Sequence, residues 1–204
     1  MKSKIPFSPN QNHPKKGSSI KVEPVRDVKA IKRIKKLLAD KPRDFCLFTL
    51  GINSAYRGNE LLSITVSQVD HLQTGDRFEL KQSKNSKYRA VTINDTVRQA
   101  IDDWLRVHPN PAPNAPLFPS QKGGKAITVS RLNAMVKQWT ADVGLRGNYG
   151  SHSLRKTFGY HQRKTFGHPL SLLVRAFGHS SEWQTLEYLC IQPEEIEDLY
   201  AGAL

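Results

Sequence analysis

Apolar residues recur at helical spacing along most of this chain and switch to a two-residue alternation in one place only, between Arg77 and Ile93. That pattern restricts the fold to helices packed around one small sheet. A period of about 3.6 residues buries a stripe of a helix, and a period of two buries one face of a strand. Val28, Ile31, Ile34, Leu37 and Leu38 mark a first helix from Asp27, with Lys32, Arg33, Lys35 and Lys36 between them. The spacing predicts a second helix over about 43–54 and a third opening near Arg57, in Gly58-Asn59-Glu60-Leu61-Leu62, with Ala55-Tyr56 as the corner between them. Arg77–Lys81 and Tyr88–Ile93 read as paired strands joined by the turn Lys84-Asn85-Ser86-Lys87. Helical signals return over Asp95–Val107 and stop in the proline-rich stretch 109–116. They resume over Thr128–Val143 through Leu132, Met135, Val136 and Trp139, and the remainder reads as short helices. The expected fold class is mostly α with a small antiparallel β-sheet (α+β).

Charge points to the partner. The 204 residues include 31 Lys or Arg against 18 Asp or Glu, a formal net charge of +13 that attracts polyanions at long range. Residues 1–40 hold eleven basic and three acidic side chains, residues 41–179 twenty and nine, and from Ser180 onward there are six acids and no base. A basic body with an acidic end suggests a surface that faces nucleic acid and an end that faces protein. Residues 1–25, with Pro6, Pro9, Pro14, Pro24 and five lysines but little apolar periodicity, read as a flexible basic arm.

Other classes are disfavoured. Cys46 and Cys190 lie far apart, without the spacing of a zinc knuckle or a disulfide framework, which fits a reducing cytosol. No apolar run approaches the roughly 18 residues that span a bilayer, and the N-terminus lacks the apolar stretch of a signal peptide. A soluble, cytoplasmic protein with no membrane partner is expected. No glycine-rich phosphate loop and no carboxylate cluster suited to holding two cations stands out, so neither a nucleotide cofactor nor a metal is expected.

The C-terminal third carries the chemistry. Ser151-His152-Ser153-Leu154-Arg155-Lys156-Thr157 precedes Phe177-Gly178-His179-Ser180-Ser181, and Tyr188, in Thr185-Leu186-Glu187-Tyr188, follows nine residues after His179. The His-x-x-Arg pair, the Gly-His-Ser-Ser turn and the tyrosine, in that order, resemble the pattern of tyrosine recombinases of the phage-integrase type. Upstream, Ala55-Tyr56-Arg57-Gly58-Asn59-Glu60 resembles that family's first arginine box, with an acid three residues on. Gln82-Ser83-Lys84-Asn85-Ser86-Lys87-Tyr88-Arg89 occupies the place of the hairpin that carries the family's lysine. Lys84 is the position chosen for it, with Lys87 the rival. Phe177, where the family usually has leucine, and Lys156, where it often has histidine, are mild departures.

The resemblance implies a site made of Arg57, Lys84, His152, Arg155, His179 and Tyr188, supported by Glu60. A phosphodiester resists attack because its transition state concentrates negative charge on the nonbridging oxygens. Two arginines meet that charge with planar, permanently charged forks that lysine cannot reproduce. Glu60, one helical turn away, would orient Arg57. A tyrosine whose ordinary pKa is near 10 needs help to ionise. His152 is the candidate base for Tyr188, Lys84 the general acid for the departing 5′ oxygen, and His179 a hydrogen-bond donor to the phosphate. His161 and His168 fit no family position and are expected to be structural or exposed. Trp104, Trp139 and Trp183 are expected in the core or an interface.

The resemblance covers about residues 26–192, the catalytic domain, in a short form without the N-terminal helical domain that many members use to clamp DNA. It implies strand cleavage and rejoining through a 3′-phosphotyrosine intermediate, without metal or ATP. The implied setting is double-stranded DNA, a homotetramer on paired sites, DNA-bending accessory proteins, and a bacterial or phage-encoded, nucleoid-associated protein. Residues 193–204, with Ile196, Leu199 and Tyr200 at helical spacing, read as an acidic helical tail that docks on a neighbouring protomer. The competing functions are a type IB topoisomerase and a DNA-binding regulator that keeps the fold without cutting.

Overall fold

The computed structural model describes residues 21–81, 88–121 and 124–189. Among these residues eight α-helices, one hairpin and a 3-10 turn at Val66–Gln68 occur, the helices and strands in the order α1 (Val28–Leu37), α2 (Pro42–Ile52), α3 (Gly58–Leu62), β1 (Arg77–Lys81), β2 (Tyr88–Thr92), α4 (Asp95–Leu105), α5 (Val129–Asp142), α6 (Ser151–Lys164), α7 (Leu170–Phe177) and α8 (Glu182–Leu189). A mostly helical domain with one two-stranded antiparallel sheet is thus what the periodicities predicted, and α2, α4, α5 and the strands end within two residues of expectation, whereas α6, expected among short helices, runs for 14 residues. Side-chain caps explain several of those ends. The Asp27 carboxylate accepts from the Lys29 amide at 2.7 Å, the Asn94 amide oxygen from the Val97 amide at 2.9 Å, and the Thr128 hydroxyl from the Arg131 amide at 3.1 Å.

Helix α2 forms the middle of the domain. Residues 46–51 are buried without interruption, as expected of a helix apolar on every side. It packs against α4 and α6, and α6 in turn touches α5, α7 and α8. Phe48 meets Trp139 edge to face with ring centroids 5.9 Å apart. At the α2–α6 crossing, a Cβ on Gly51 would stand 2.7 Å from Leu154 Cδ1, so the helices approach at a contact only glycine leaves open.

The hairpin is fastened to the helices from its buried face. Strand register pairs Phe78 with Val91 and Leu80 with Arg89. The Tyr56 hydroxyl lies 3.1 Å from the Phe78 carbonyl and 3.2 Å from the Arg89 carbonyl, so one phenol from the corner before α3 grips both strands.

A second, smaller apolar group holds the C-terminal helices. Ala55, Leu173, Phe177 and Leu189 are buried together, apart from the main core, with Phe158, Leu170, Ala176 and Tyr188 packed on them. Here α7 and α8 come unusually close to α6, because a Cβ on Gly159 would collide with the Phe177 ring and stand 2.7 Å from Leu189 Cδ2.

The N-terminal segment departs from the sequence reading at its inner end. The flexible arm was expected to run through residue 25, yet Pro24 and Val25 are buried. The Glu23 amide donates to the Asn148 carbonyl at 2.8 Å, and the Val25 amide donates to Thr157 Oγ1 at 2.8 Å. His161 completes the attachment, its Nε2 lying 2.9 Å from the Val25 carbonyl and its Nδ1 2.8 Å from Thr165 Oγ1. The physical reason is that Val25 has an apolar pocket and its backbone has partners on α6. His161 is thus structural and His168 exposed. Trp104 and Trp139 are core residues, whereas Trp183 is 70% exposed.

Candidate active site

Arg57, His152, Arg155, Gly178, His179, Gln184 and Tyr188 line one cavity of about 370 Å³. Five of the six chemistry-bearing positions inferred from sequence therefore meet, although they span 132 residues of chain from Arg57 to Tyr188. Lys84 and its rival Lys87 lie outside the described residues. Glu60 sits behind the cavity rather than in it.

Each position follows from a local structural cause. Arg57 is the N-cap of α3, extended at φ −75° and ψ 160°. The Glu60 carboxylate closes a box around it, accepting from the Arg57 amide at 2.7 Å through Oε2 and from Arg57 Nη1 at 2.9 Å through Oε1. The Glu60 side chain is only 1% exposed while that of Arg57 is 26% exposed, so a carboxylate shielded from water holds a guanidinium whose other side opens to the cavity.

His152 and Arg155 stand one turn apart on the first half of α6. Gly150 precedes them because a Cβ there would collide with Asn133 Oδ1, the oxygen that accepts from the Ser151 amide at 3.0 Å. Arg155 is 2% exposed. Its Nη1 donates to the Ala55 carbonyl and its Nη2 to the Phe177 carbonyl at 2.8 Å. The Phe177 carbonyl belongs to the last residue of α7, where a helix presents its negative end. Gly178 then takes φ +62°, the left-handed cap that reverses the chain and delivers His179.

His179 stacks on the Phe177 ring at 5.1 Å between centroids and meets the Tyr188 ring at 5.2 Å, while Phe177 and Tyr188 are 5.3 Å apart. Two cations face the tyrosine ring, with Lys156 Nζ 4.9 Å and Arg155 Cζ 5.8 Å from its centroid. Positive charge beside a phenol favours its ionised form.

The electrostatics make both histidines neutral at neutral pH. Burial, then the charges of Arg155 and Arg57, push the His179 imidazole down to about 4. Burial, then Arg155, Lys156 and Arg57, also hold His152 below its ordinary value. A neutral His152 can accept a proton. Burial lowers Arg155 to about 10, which leaves it cationic at neutral pH. Among the described residues no three His, Cys, Asp or Glu side chains gather where they could hold a metal ion, and no helix is long and apolar enough to cross a membrane.

Three contributors escaped the sequence reading. Thr185, fully buried, places Oγ1 2.9 Å from His179 Nδ1. Lys156 is buried beside the tyrosine. Arg89 is buried behind the cavity and donates to Glu60 Oε2 at 2.9 Å. The signal for Thr185 was its position between the Gly-His turn and the tyrosine; Arg89 had none beyond being one of several cations in its segment.

Residues 25–195 match the phage integrase family. The chain belongs to that family. Similar proteins carry the names integrase or recombinase. The probable integrase/recombinase YoeC of Bacillus subtilis (strain 168) is 32% identical over 182 residues, which is 88% of this integrase-family chain and 95% of YoeC. The tyrosine recombinase XerC of Caldanaerobacter subterraneus subsp. tengcongensis is 26% identical over 161 residues, 78% of this chain and 44% of that protein. The chain therefore spans nearly all of YoeC but less than half of this XerC. Among solved structures, XerA recombinase superposes with a TM-score of 0.72 at 20% identity, covering 88% of this chain and 65% of that one. The XerH site-specific recombinase in a post-cleavage complex with palindromic difH substrate also gives 0.72, at 23% identity, covering 90% and 54%. At those identities the two structures establish the fold, and family membership makes the described domain a tyrosine recombinase catalytic domain.

Proposed function

We propose that this integrase-family enzyme cuts and rejoins double-stranded DNA through Tyr188. The observation that carries the reading is the single cavity in which Tyr188 meets Arg57, Arg155 and two neutral histidines. The two guanidiniums bind the nonbridging oxygens of a phosphodiester and stabilise the charge of its transition state. The Tyr188 oxygen forms a bond to phosphorus as the bond from phosphorus to the 5′ oxygen breaks. His152 takes the phenolic proton, Lys84 supplies a proton to the 5′ oxygen, and His179 donates to the phosphate. Attack by a 5′ hydroxyl on the phosphotyrosine reverses these bonds, so rejoining needs no ATP and the arginines do the work a metal pair does elsewhere.

The same proposal extends to assembly. XerH is described on a palindromic substrate, and a palindrome offers equivalent half-sites to two copies of one protein. A tetramer on two paired sites follows if each half-site of both holds a protomer, with DNA-bending proteins assisting. The basic residues 1–20 would lie along phosphates, and the acidic residues 193–204 would dock on a neighbouring protomer in a nucleoid-associated complex.

The test is a duplex recovered from a random-sequence library by its binding to the protein, nicked so that a cleaved fragment is lost. Wild type accumulates a covalent protein–DNA adduct, and Tyr188→Phe binds equally but forms none, since only the attacking oxygen is removed. An adduct formed by the variant would assign the nucleophile elsewhere. Binding without any wild-type adduct would make the chain a regulator, and cleavage that relaxes plasmid DNA without joining two sites would make it a topoisomerase.

A further inference from the structure

Arg89 takes no part in the chemistry above, yet it is 5% exposed and lies against three of the elements that build the cavity. It projects from β2, opposite Leu80 in the hairpin. Its Nη1 donates to Glu60 Oε2 at 2.9 Å and to the Ala55 carbonyl at 3.1 Å, and its Nη2 donates to the Phe177 carbonyl at 2.9 Å. Every one of these acceptors also serves an arginine of the cavity. Glu60 holds Arg57 through the backbone amide and the guanidinium. The Ala55 and Phe177 carbonyls are those that hold Arg155.

A buried arginine with a purely architectural task needs one carboxylate and some carbonyls anywhere in the core. Among the described residues, the acceptors of Arg89 are those that set the places of Arg57 and Arg155. A carbonyl oxygen has two lone pairs, and the paired arginines occupy both on Ala55 and on Phe177. Burial presses on the charge of Arg89, and Glu60 sustains it. Three guanidiniums and one carboxylate leave the group with net positive charge around a cavity suited to an anion. With a neutral side chain at position 89, Glu60 would act on Arg57 alone and draw its guanidinium away from the cavity, while Arg155 would lose the neighbour that fixes its carbonyl partners.

We propose that Arg89 is a positioning residue that holds Arg57 and Arg155 at the separation needed to grip the scissile phosphate. The inference rests on the phosphodiester chemistry proposed above. It also gives the hairpin a second task, since displacement of β2 moves the shared acceptors of both arginines.

The experiment compares adduct formation on the selected, nicked duplex with that on the same duplex carrying a neutral methylphosphonate at the scissile position. A neutral centre asks less of two correctly spaced cations. Arg89→Gln should slow adduct formation by about 10- to 100-fold on the phosphate, the size typical of groups that orient the primary ligands of a site, and by a clearly smaller factor on the methylphosphonate. Arg89→Lys should recover little on the phosphate, because one ammonium cannot span a carboxylate and two carbonyls. If Arg89→Gln does not fold, the same ratio is read on Arg89→Lys. Equal losses on both substrates, or no loss, in a variant that melts and binds DNA like wild type overturn the proposal. Absence of an adduct from wild type on every selected duplex overturns the proposed function instead, and this inference with it.

Discussion

His179 Nδ1 and the Thr185 hydroxyl stand 2.9 Å apart across the junction between the Gly-His turn and α8. The same hydroxyl lies 3.4 Å from the Ser181 carbonyl, so its proton has two acceptors to choose from. With the imidazole neutral, that choice sets the tautomer. A phosphate oxygen bound at Nε2 requires the proton there, and the Thr185 hydroxyl must then donate to Nδ1.

Thr185→Val keeps the shape of the side chain and removes this partner. The lost hydrogen bond is worth roughly 1 kcal/mol, or about a fivefold slower adduct formation. Single-turnover cleavage measures the rate, and nitrogen chemical shifts of the His179 ring measure the tautomer. An unchanged rate with an unchanged tautomer would show that α8 does not set the state of His179.

Stability should depend on His179 in acid. Its folded pKa of about 4 lies below the ordinary 6.5, chiefly through burial. Between those values the unfolded chain binds the proton and the folded one does not, so stability falls as pH falls. The contribution is intact above about 6.5 and lost by about 4. His152 is shifted in the same direction. Thermal melts of wild type and His179→Gln across this window should diverge toward acid, with wild type losing more. Parallel curves would place the His179 ring in open solvent.

Gly159→Ala reverses the usual rule for helices. Alanine in place of glycine inside an exposed helix stabilises by roughly 1 kcal/mol. Here the added Cβ meets the Phe177 ring and Leu189 Cδ2, so α7 and α8 must move off α6. The expected cost is about 1–3 kcal/mol in thermal or denaturant unfolding, with a loss of adduct formation because His179 and Tyr188 travel with those helices. A variant as stable and as active as wild type would show that the helices do not need this close approach.

What the sequence disclosed and what it hid differ in physical kind. His152 and Arg155 are readable because one helical turn joins them, and Gly178-His179 because the αL glycine and the histidine are neighbours in the chain. The hairpin is readable because Phe78 and Leu80 alternate with polar residues. Arg89 is different: its partners Glu60, Ala55 and Phe177 come from two other parts of the chain, and no local spacing marks that meeting. Pro24 and Val25 resemble the linker before them, and only contact with α6 sets them apart. The apolar pattern of α8 gave no warning that Trp183 faces out, since a short helix has too few turns for its period to fix which side is covered.

The separation of the small apolar group under α8 from the main core divides the protein's cooperativity. The main core ties α1 to α6 together through many buried side chains, whereas among the described residues α7 and α8 share a patch with four buried apolar members. A subglobal opening that releases the tyrosine-bearing end therefore costs far less than global unfolding. Amide exchange will be fast along α8 and slow along α2, and heat will silence the enzyme while most of its helices are still in place.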